Sequence, residues 1–359
     1  MKVGIIGLNP EKVSTGYVGG IDSYAKSLYE GLENRGIEVE CIWTGYPRTP
    51  LSKTIHSFIP MTKETLQSAK DFDLIHAVQP GFSLAFPFIK DTPKVVTMHD
   101  MIPKNMPNTI NPPKGLRNRL FNLFNYFVFS SWLIGAKRAD KIIAVSSQTE
   151  KELIDSGFKA SKIDVVHEFV PSKFRKLEEV ESDEKLVGYL GPVTYRKNIH
   201  YAIEVFEEMA KRDDELKFQI CGKIDKKDYL NYLKKLIKEK NLEDKVSIEG
   251  FIPEDEIVEK YNSFGVMLFP TFAEGFGLPI LEALKCGTPV VVREDSLIPK
   301  EIKSLCNSGG SKEEIAEIAL KKLKEEIPKE MIKNLTKKFS KNKMIDKTIE
   351  TYNEVCEIN

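Results

Sequence analysis

Val266-Met-Leu-Phe-Pro-Thr-Phe-Ala-Glu-Gly-Phe-Gly-Leu-Pro-Ile-Leu-Glu-Ala-Leu-Lys-Cys-Gly-Thr-Pro-Val-Val-Val292 is the stretch from which the fold can be read. Val266 to Phe269 is a short apolar run of the kind buried on both faces of a parallel sheet, stopped by Pro270. Pro279 suits the first helical position, Gly287 suits a left-handed helix stop, and Pro289 forbids continuation, so the pattern predicts a helix over roughly Leu278 to Cys286. A second apolar run, Pro289 to Arg293, follows at once. Strand, helix and strand in that order make a βαβ unit and commit the chain to a parallel sheet.

The same alternation extends in both directions. Strand-like runs in the first half are Lys2 to Gly7, Glu38 to Trp43, Leu74 to Val78, Val95 to His99, Lys141 to Val145 and Asp164 to Val166, with helices near Ile21 to Asn34, Pro113 to Gly135 and Gln148 to Ser156. After Glu168-Phe-Val-Pro171 the chain turns charged and aperiodic, and strands resume at Leu186, Lys217, Val246, Val266 and Pro289. The expected organisation is α/β, with two doubly wound Rossmann-like domains facing a cleft. The first domain is placed at 1–170, a linker at 171–185, the second domain at 186–340 and a terminal helix at 341–359. Ligands are expected at the carboxyl ends of the strands.

The loop between Pro270 and Leu278 carries the chemistry. Gly275 and Gly277 let backbone N–H groups approach an anion with no Cβ in the way, and the N-terminus of the following helix adds partial positive charge. Glu274 precedes the helix and Glu282 lies within it, so both can serve one elongated ligand. Carboxylates accept hydrogen bonds from sugar hydroxyls. A nucleotide sugar fits, with sugar near Glu274, diphosphate at the helix end and ribose near Glu282. As a loop carboxylate, Glu274 is expected to be dispensable for folding.

These residues resemble the E-x7-E signature of retaining glycosyltransferases of family 4, whose members have the two-domain GT-B fold. Asp140-Lys-Ile-Ile-Ala-Val-Ser146, Val187-Gly-Tyr-Leu-Gly191 with Arg196-Lys-Asn198, and Gly250-Phe-Ile-Pro253 follow the order and approximate spacing of that family, so the resemblance covers nearly the whole chain. It implies a metal-independent enzyme without cofactor that moves a hexose from a GDP- or UDP-linked donor to a glycan or lipid-linked hydroxyl. It assigns Arg196, Lys197, Glu274 and His99 to catalysis. Donor contacts are implied for Gly19, Gly20, Phe251, Gly275, Phe276, Gly277, Leu278 and Glu282, and the terminal helix is implied to cross back onto the first domain. One departure is visible: many members place an arginine where this chain has Pro192, and Arg196 is the residue able to replace it. A nucleotide-sugar epimerase of related shape and a non-catalytic nucleotide-sugar-binding module are the competing readings.

Composition narrows the classes. Lysine plus arginine number 53 and aspartate plus glutamate 53, so no global charge favours nucleic acid, and no basic tail appears. Five cysteines, Cys41, Cys221, Cys286, Cys306 and Cys356, are scattered with no C-x-x-C spacing and read as reduced and buried. The five histidines lack metal-ligand spacing. His76 reads as core, and Asp71-Phe-Asp73 as a solvated turn. The opening Met-Lys-Val-Gly-Ile-Ile-Gly reads as a strand rather than a signal peptide, and no apolar run spans a bilayer, so a cytoplasmic location is expected. Pro113 to Ile134 has a basic entrance and an aromatic body. Its ordinary reading is a helix buried in the first domain. Peripheral contact with the inner face of a membrane is the alternative.

Overall fold

A computed structural model describes residues 1–7, 20–43, 58–112 and 115–358. Among them, two parallel sheets of six strands each form the framework. The first sheet is built from β1 (Lys2–Ile6), β2 (Glu38–Trp43), β3 (Leu74–Ala77), β4 (Lys94–Met98), β5 (Lys141–Ala144) and β6 (Ile163–Val165), in the order β2-β1-β3-β4-β5-β6. The second contains β7 (Asp183–Leu190), β8 (Lys217–Cys221), β9 (Val246–Gly250), β10 (Phe264–Leu268), β11 (Val290–Arg293) and β12 (Asn307–Gly309), in the order β12-β11-β10-β7-β8-β9. Eleven of these strands coincide with apolar runs in the sequence. The twelfth, Asn-Ser-Gly, has no apolar signal and is a strand because it pairs with Val291 to Arg293.

The chain divides into two compact units. One comprises Met1–Asn105, Leu123–Phe169 and Ser340–Asn359, the other Met106–Asn122 and Val170–Phe339. Two features differ from the sequence expectation. Residues Met106–Asn122 group with the second unit, where the Asn111 side-chain amide donates to Asn122 Oδ1 at 3.0 Å. The stretch expected as a linker is fastened down: buried Asn262 accepts from Leu177 N at 2.8 Å and donates to Arg175 O at 3.0 Å, and β7 already begins at Asp183. One asparagine side chain with both donor and acceptor pins an otherwise aperiodic segment, which no periodicity could announce.

The terminal helix Lys341–Ile358 is part of the first unit and buries Met344, Ile345, Tyr352 and Val355 in its core. Close approach to the Gly20–Glu33 helix depends on Gly31, where an added Cβ would lie 2.4 Å from Ile345 Cδ1. Arg35 to Asp346 at 2.7 Å and Lys341 to Glu30 at 2.9 Å flank that contact.

The helix Leu116–Ala136 departs most from its ordinary reading. Phe129 and Leu133 are buried, but Leu116, Leu120, Leu123, Phe124, Phe127 and Ile134 are 46% to 74% exposed. The cysteines also differ in part: Cys221 and Cys286 are buried, whereas Cys41, Cys306 and Cys356 are only half-buried.

In the second unit glycines just after β7 and β8 and at the end of β9 bring three backbones together. Gly191 N donates to Cys221 O at 3.0 Å and Gly222 N to Gly250 O at 2.6 Å, and Gly222 has φ 142°. A Cβ on Gly222 would sit 1.8 Å from the Gly191 carbonyl oxygen, a clash with backbone rather than with a movable side chain. Gly222→Ala is therefore expected to cost about 2–4 kcal/mol and to lower the melting temperature by roughly 5–10 °C. Calorimetry of the variant checks this, and an unchanged melting temperature would mean the strand ends are not so tightly joined.

Candidate functional site

In the second sheet β7 opens the series, β8 and β9 build outward on one side, and β10 to β12 build on the other. The direction of winding therefore reverses between β7 and β10, the place where doubly wound sheets leave a crevice at the strand ends. The loops that follow these two strands carry Arg196-Lys-Asn198 and Thr271 to Gly277. They are sewn together by backbone: Phe272 N donates to Arg196 O at 3.0 Å, and the buried Asn198 side chain donates to Pro270 O at 3.0 Å. Asn198 also takes a left-handed conformation, φ 59°, between the Tyr195–Lys197 turn and the Ile199–Ala210 helix, a role that asparagine fills at low cost.

At this junction the structure joins Arg196, Lys197 and Glu274. Lys197 Nζ, 4% exposed, donates to both carboxylate oxygens of Glu274 at 2.8 and 2.9 Å, while Arg196 Nη1 lies 3.2 Å from Glu274 Oε1 and donates to Ala273 O at 2.5 Å. Thr271 Oγ1 adds a hydrogen bond to Glu274 Oε1 at 2.7 Å, and the Phe269 ring lies 4.8 Å from the ammonium. Burial opposes charge on Glu274, but the Lys197 and Arg196 charges and the Lys197 and Thr271 hydrogen bonds overcome it and hold the carboxyl well below its ordinary range. Glu274 is thus a buried, charged anchor. The expectation that folding is indifferent to it is corrected, because its removal would leave a buried ammonium with much less compensation.

Glu282 lies on the helix Leu278–Lys285 and accepts from the Tyr261 hydroxyl at 2.9 Å. Desolvation by burial pushes its carboxyl up to about 7, against the Tyr261 hydrogen bond and the charges of Lys173, Lys197 and Lys285. Lys197 therefore feels both glutamates of the signature. Gly277 caps this helix at φ 107°, as its sequence position predicted. Gly275 and Leu278 are half-buried beside it, whereas Phe276 is buried with its ring edge-on to Phe339 at 5.6 Å and acts in packing. Phe251, 54% exposed, follows β9 at the same end of the sheet. Pro192 forms part of the loop itself, its carbonyl accepting from the Tyr189 hydroxyl at 3.0 Å.

The first unit holds the remaining candidates. His99 follows β4. Its Nε2 lies 2.9 Å from Val78 O and its Nδ1 2.6 Å from Glu168 Oε1. A carbonyl only accepts, so Nε2 carries a proton, and the carboxylate at Nδ1 favours a second. Burial works against that charge, yet the Glu168 hydrogen bond and charge prevail and raise His99 above its ordinary value. Both ring nitrogens are thus engaged within the protein. His76 is the opposite case: buried between Tyr352 Oη at 2.6 Å and Thr97 Oγ1 at 2.8 Å, it is lowered to about 3 by burial and by the His99 charge. Thr97 continues the chain to the Tyr24 hydroxyl at 3.1 Å, and the Tyr24 ring stands edge-on to His99 at 4.9 Å. Tyr24, Thr97, Glu168 and Tyr352 were not legible as site-supporting residues, since no local motif contains them. Gly20 is exposed at the start of the Gly20–Glu33 helix, and Gly19 lies outside the described residues.

Among the described residues no group of three or more histidine, cysteine, aspartate or glutamate side chains could hold a metal ion, and no helix is long and apolar enough to cross a membrane.

Comparison with known proteins agrees with this architecture. Residues 172–343 match the family described as glycosyl transferases group 1, and residues 18–174 match glycosyltransferase family 4. The chain belongs to the group 1, family 4 glycosyltransferases, with the two-domain α/β fold called GT-B. An uncharacterized glycosyltransferase of Methanocaldococcus jannaschii is 36% identical over 119 residues, 33% of this chain and 30% of that one. The capsular polysaccharide biosynthesis glycosyltransferase CapM of Staphylococcus aureus is 28% identical over 271 residues, 68% of each chain. The alignments with the first three curated relatives span only 30% to 32% of those proteins. Among solved structures, Anabaena HepE in complex with UDP and glucose superposes with a TM-score of 0.72 at 19% identity, covering 99% of this chain and 100% of that one.

Two measurements follow from the site. A carboxyl raised to about 7 binds its proton more tightly in the folded chain than in the unfolded one, so its contribution favours folding below about pH 4.5 and is lost as pH rises through 7. Glu282→Gln removes that loss, worth at most about 3 kcal/mol. The variant is expected to melt a few degrees above the parent at pH 8, with the gap closing toward pH 5; a gap independent of pH would show that Glu282 does not titrate in this range. Glu168→Gln is expected to lower the His99 pKa, read by NMR titration of the imidazole. An unmoved titration would remove Glu168 as the source of the charge.

Proposed function

We propose that this chain moves a hexose from a nucleoside diphosphate sugar to a hydroxyl group of a glycan or lipid-linked acceptor, with retention of configuration and without a metal ion. The observation that carries the reading is the buried Lys197 ammonium, bonded to Glu274 beside Arg196 and within the electrostatic reach of Glu282, at the strand-end crossover ahead of the Leu278–Lys285 helix. Cleavage of the sugar C1–oxygen bond leaves a diphosphate with growing negative charge. Preorganised cations and a helix N-terminus stabilise such charge most where water is excluded.

In this reading the diphosphate competes with Glu274 for Lys197 and Arg196. Arg196 supplies the charge that other members carry at the Pro192 position. Glu274 Oε2, which accepts only Lys197 among the described residues, retains capacity for a sugar hydroxyl. Glu282, with one oxygen on Tyr261, offers the other to the ribose. The acceptor oxygen bonds to C1 on the face that the diphosphate leaves, and its proton passes to a departing phosphate oxygen. The family pattern supports retention and the assignment of His99 to the donor sugar. The HepE complex with UDP and glucose supports a nucleoside diphosphate sugar, and the role of CapM in capsular polysaccharide biosynthesis supports a glycan product. GDP- and UDP-linked hexoses are the donors to examine.

Thermal shift against UDP, GDP, ADP and their sugar conjugates, in the presence of EDTA, should single out one nucleotide, and incubation with that donor should release sugar slowly. Lys197→Ala and Glu274→Ala are each expected to lower turnover by about 10²-fold and also to reduce thermal stability. Conversion of the sugar nucleotide without acceptor or hydrolysis would indicate an epimerase. Binding with neither release nor transfer would indicate a non-catalytic module.

A further inference from the structure

The helix Leu116–Ala136 leaves an apolar face in solvent that the transfer site does not explain. At 100° per residue, Leu116, Leu120, Leu123, Phe124, Phe127 and Ile134 fall within a sector of roughly 100°, and all six are exposed. Arg117 and Arg119, also exposed, lie on the two borders of that sector. Phe121 turns aside, its ring 5.3 Å from Lys226 Nζ. A contiguous apolar stripe of this kind is unusual on a surface that meets only water.

Charge decides what covers it. From Met101 to Ala139 the chain has no aspartate or glutamate but contains Lys104, Lys114, Arg117, Arg119, Lys137 and Arg138, although the whole protein carries 53 acidic and 53 basic residues. A second copy of this face would bring like charges together. An anionic bilayer surface would instead pair with the cations while its acyl boundary receives the leucine and phenylalanine side chains. The helix is not apolar enough to span, so it would lie in the plane of the interface.

We propose that the Leu116–Ala136 helix docks the protein on an anionic lipid surface through its leucine and phenylalanine stripe. The inference rests on exposure and charge, and stands independently of the transfer reaction.

Flotation of the full chain with vesicles of phosphatidylcholine and phosphatidylglycerol tests it. The protein is expected to float with the mixed vesicles, to stay behind with phosphatidylcholine alone, and to be released as salt rises. Phe124→Ser combined with Phe127→Ser, and Arg117→Glu combined with Arg119→Glu, should each reduce the floating fraction by at least about fivefold. Their melting temperatures should stay close to the parent's, because the substituted side chains are exposed. Failure of the parent to float on the mixed vesicles, or flotation of the serine variant equal to the parent's, would overturn the proposal. So would a dimer, seen by light scattering, that the serine variant splits while neither protein floats.

Discussion

The second unit depends on the ion pair between Lys197 and Glu274. A buried ammonium and a buried carboxylate each lose several kcal/mol of hydration, and their attraction repays this only when hydrogen bonds complete the geometry. Here the completion is provided by Thr271, Arg196 and the bonds that tie Phe272 to Arg196 and Asn198 to Pro270. The pair therefore fixes two loops that belong to different strands, β7 and β10, and it fixes them where the sheet reverses its winding. Both cations are held in place by Glu274, so an anion that enters this crevice must share them with that carboxylate.

The first unit shows how neighbours, rather than residue type, set the state of a histidine. His76 is buried on β3, and His99 is half-buried just beyond the adjacent parallel strand β4. Burial and the His99 charge lower His76, whereas His99, against the cost of its own burial, is raised by the Glu168 carboxylate and the Val78 carbonyl. The charge on one reinforces the neutrality of the other. Through Tyr352 the same polar chain reaches the Lys341–Ile358 helix, which thereby helps to order β3 and β4 of the first unit.

Much of the site was legible in the sequence because it is local. Gly277, Pro279 and Gly287 specify the helix limits within a few residues of themselves, and Glu274 and Glu282 come with them. Arg196 and Lys197 were legible as cations at a strand end. Their partner was not, because 77 positions separate Lys197 from Glu274. Glu168 and Tyr352 escaped notice for the same reason, and β12 escaped because a polar tripeptide becomes a strand only when Val291 to Arg293 lies beside it.

By itself the sequence determined the alternation of strands and helices, the parallel α/β class and the glycine-flanked anion loop, all of which follow from periodicity and from backbone preferences that act over a few residues. Tertiary structure decided the strand order, the crossover that places two loops side by side, the partners of His76 and His99, and the exposure of the Leu116–Ala136 helix. That helix could be read as buried or interfacial because its composition suits both. Only the neighbours it has, and those it lacks, distinguish an apolar face in the core from one in solvent.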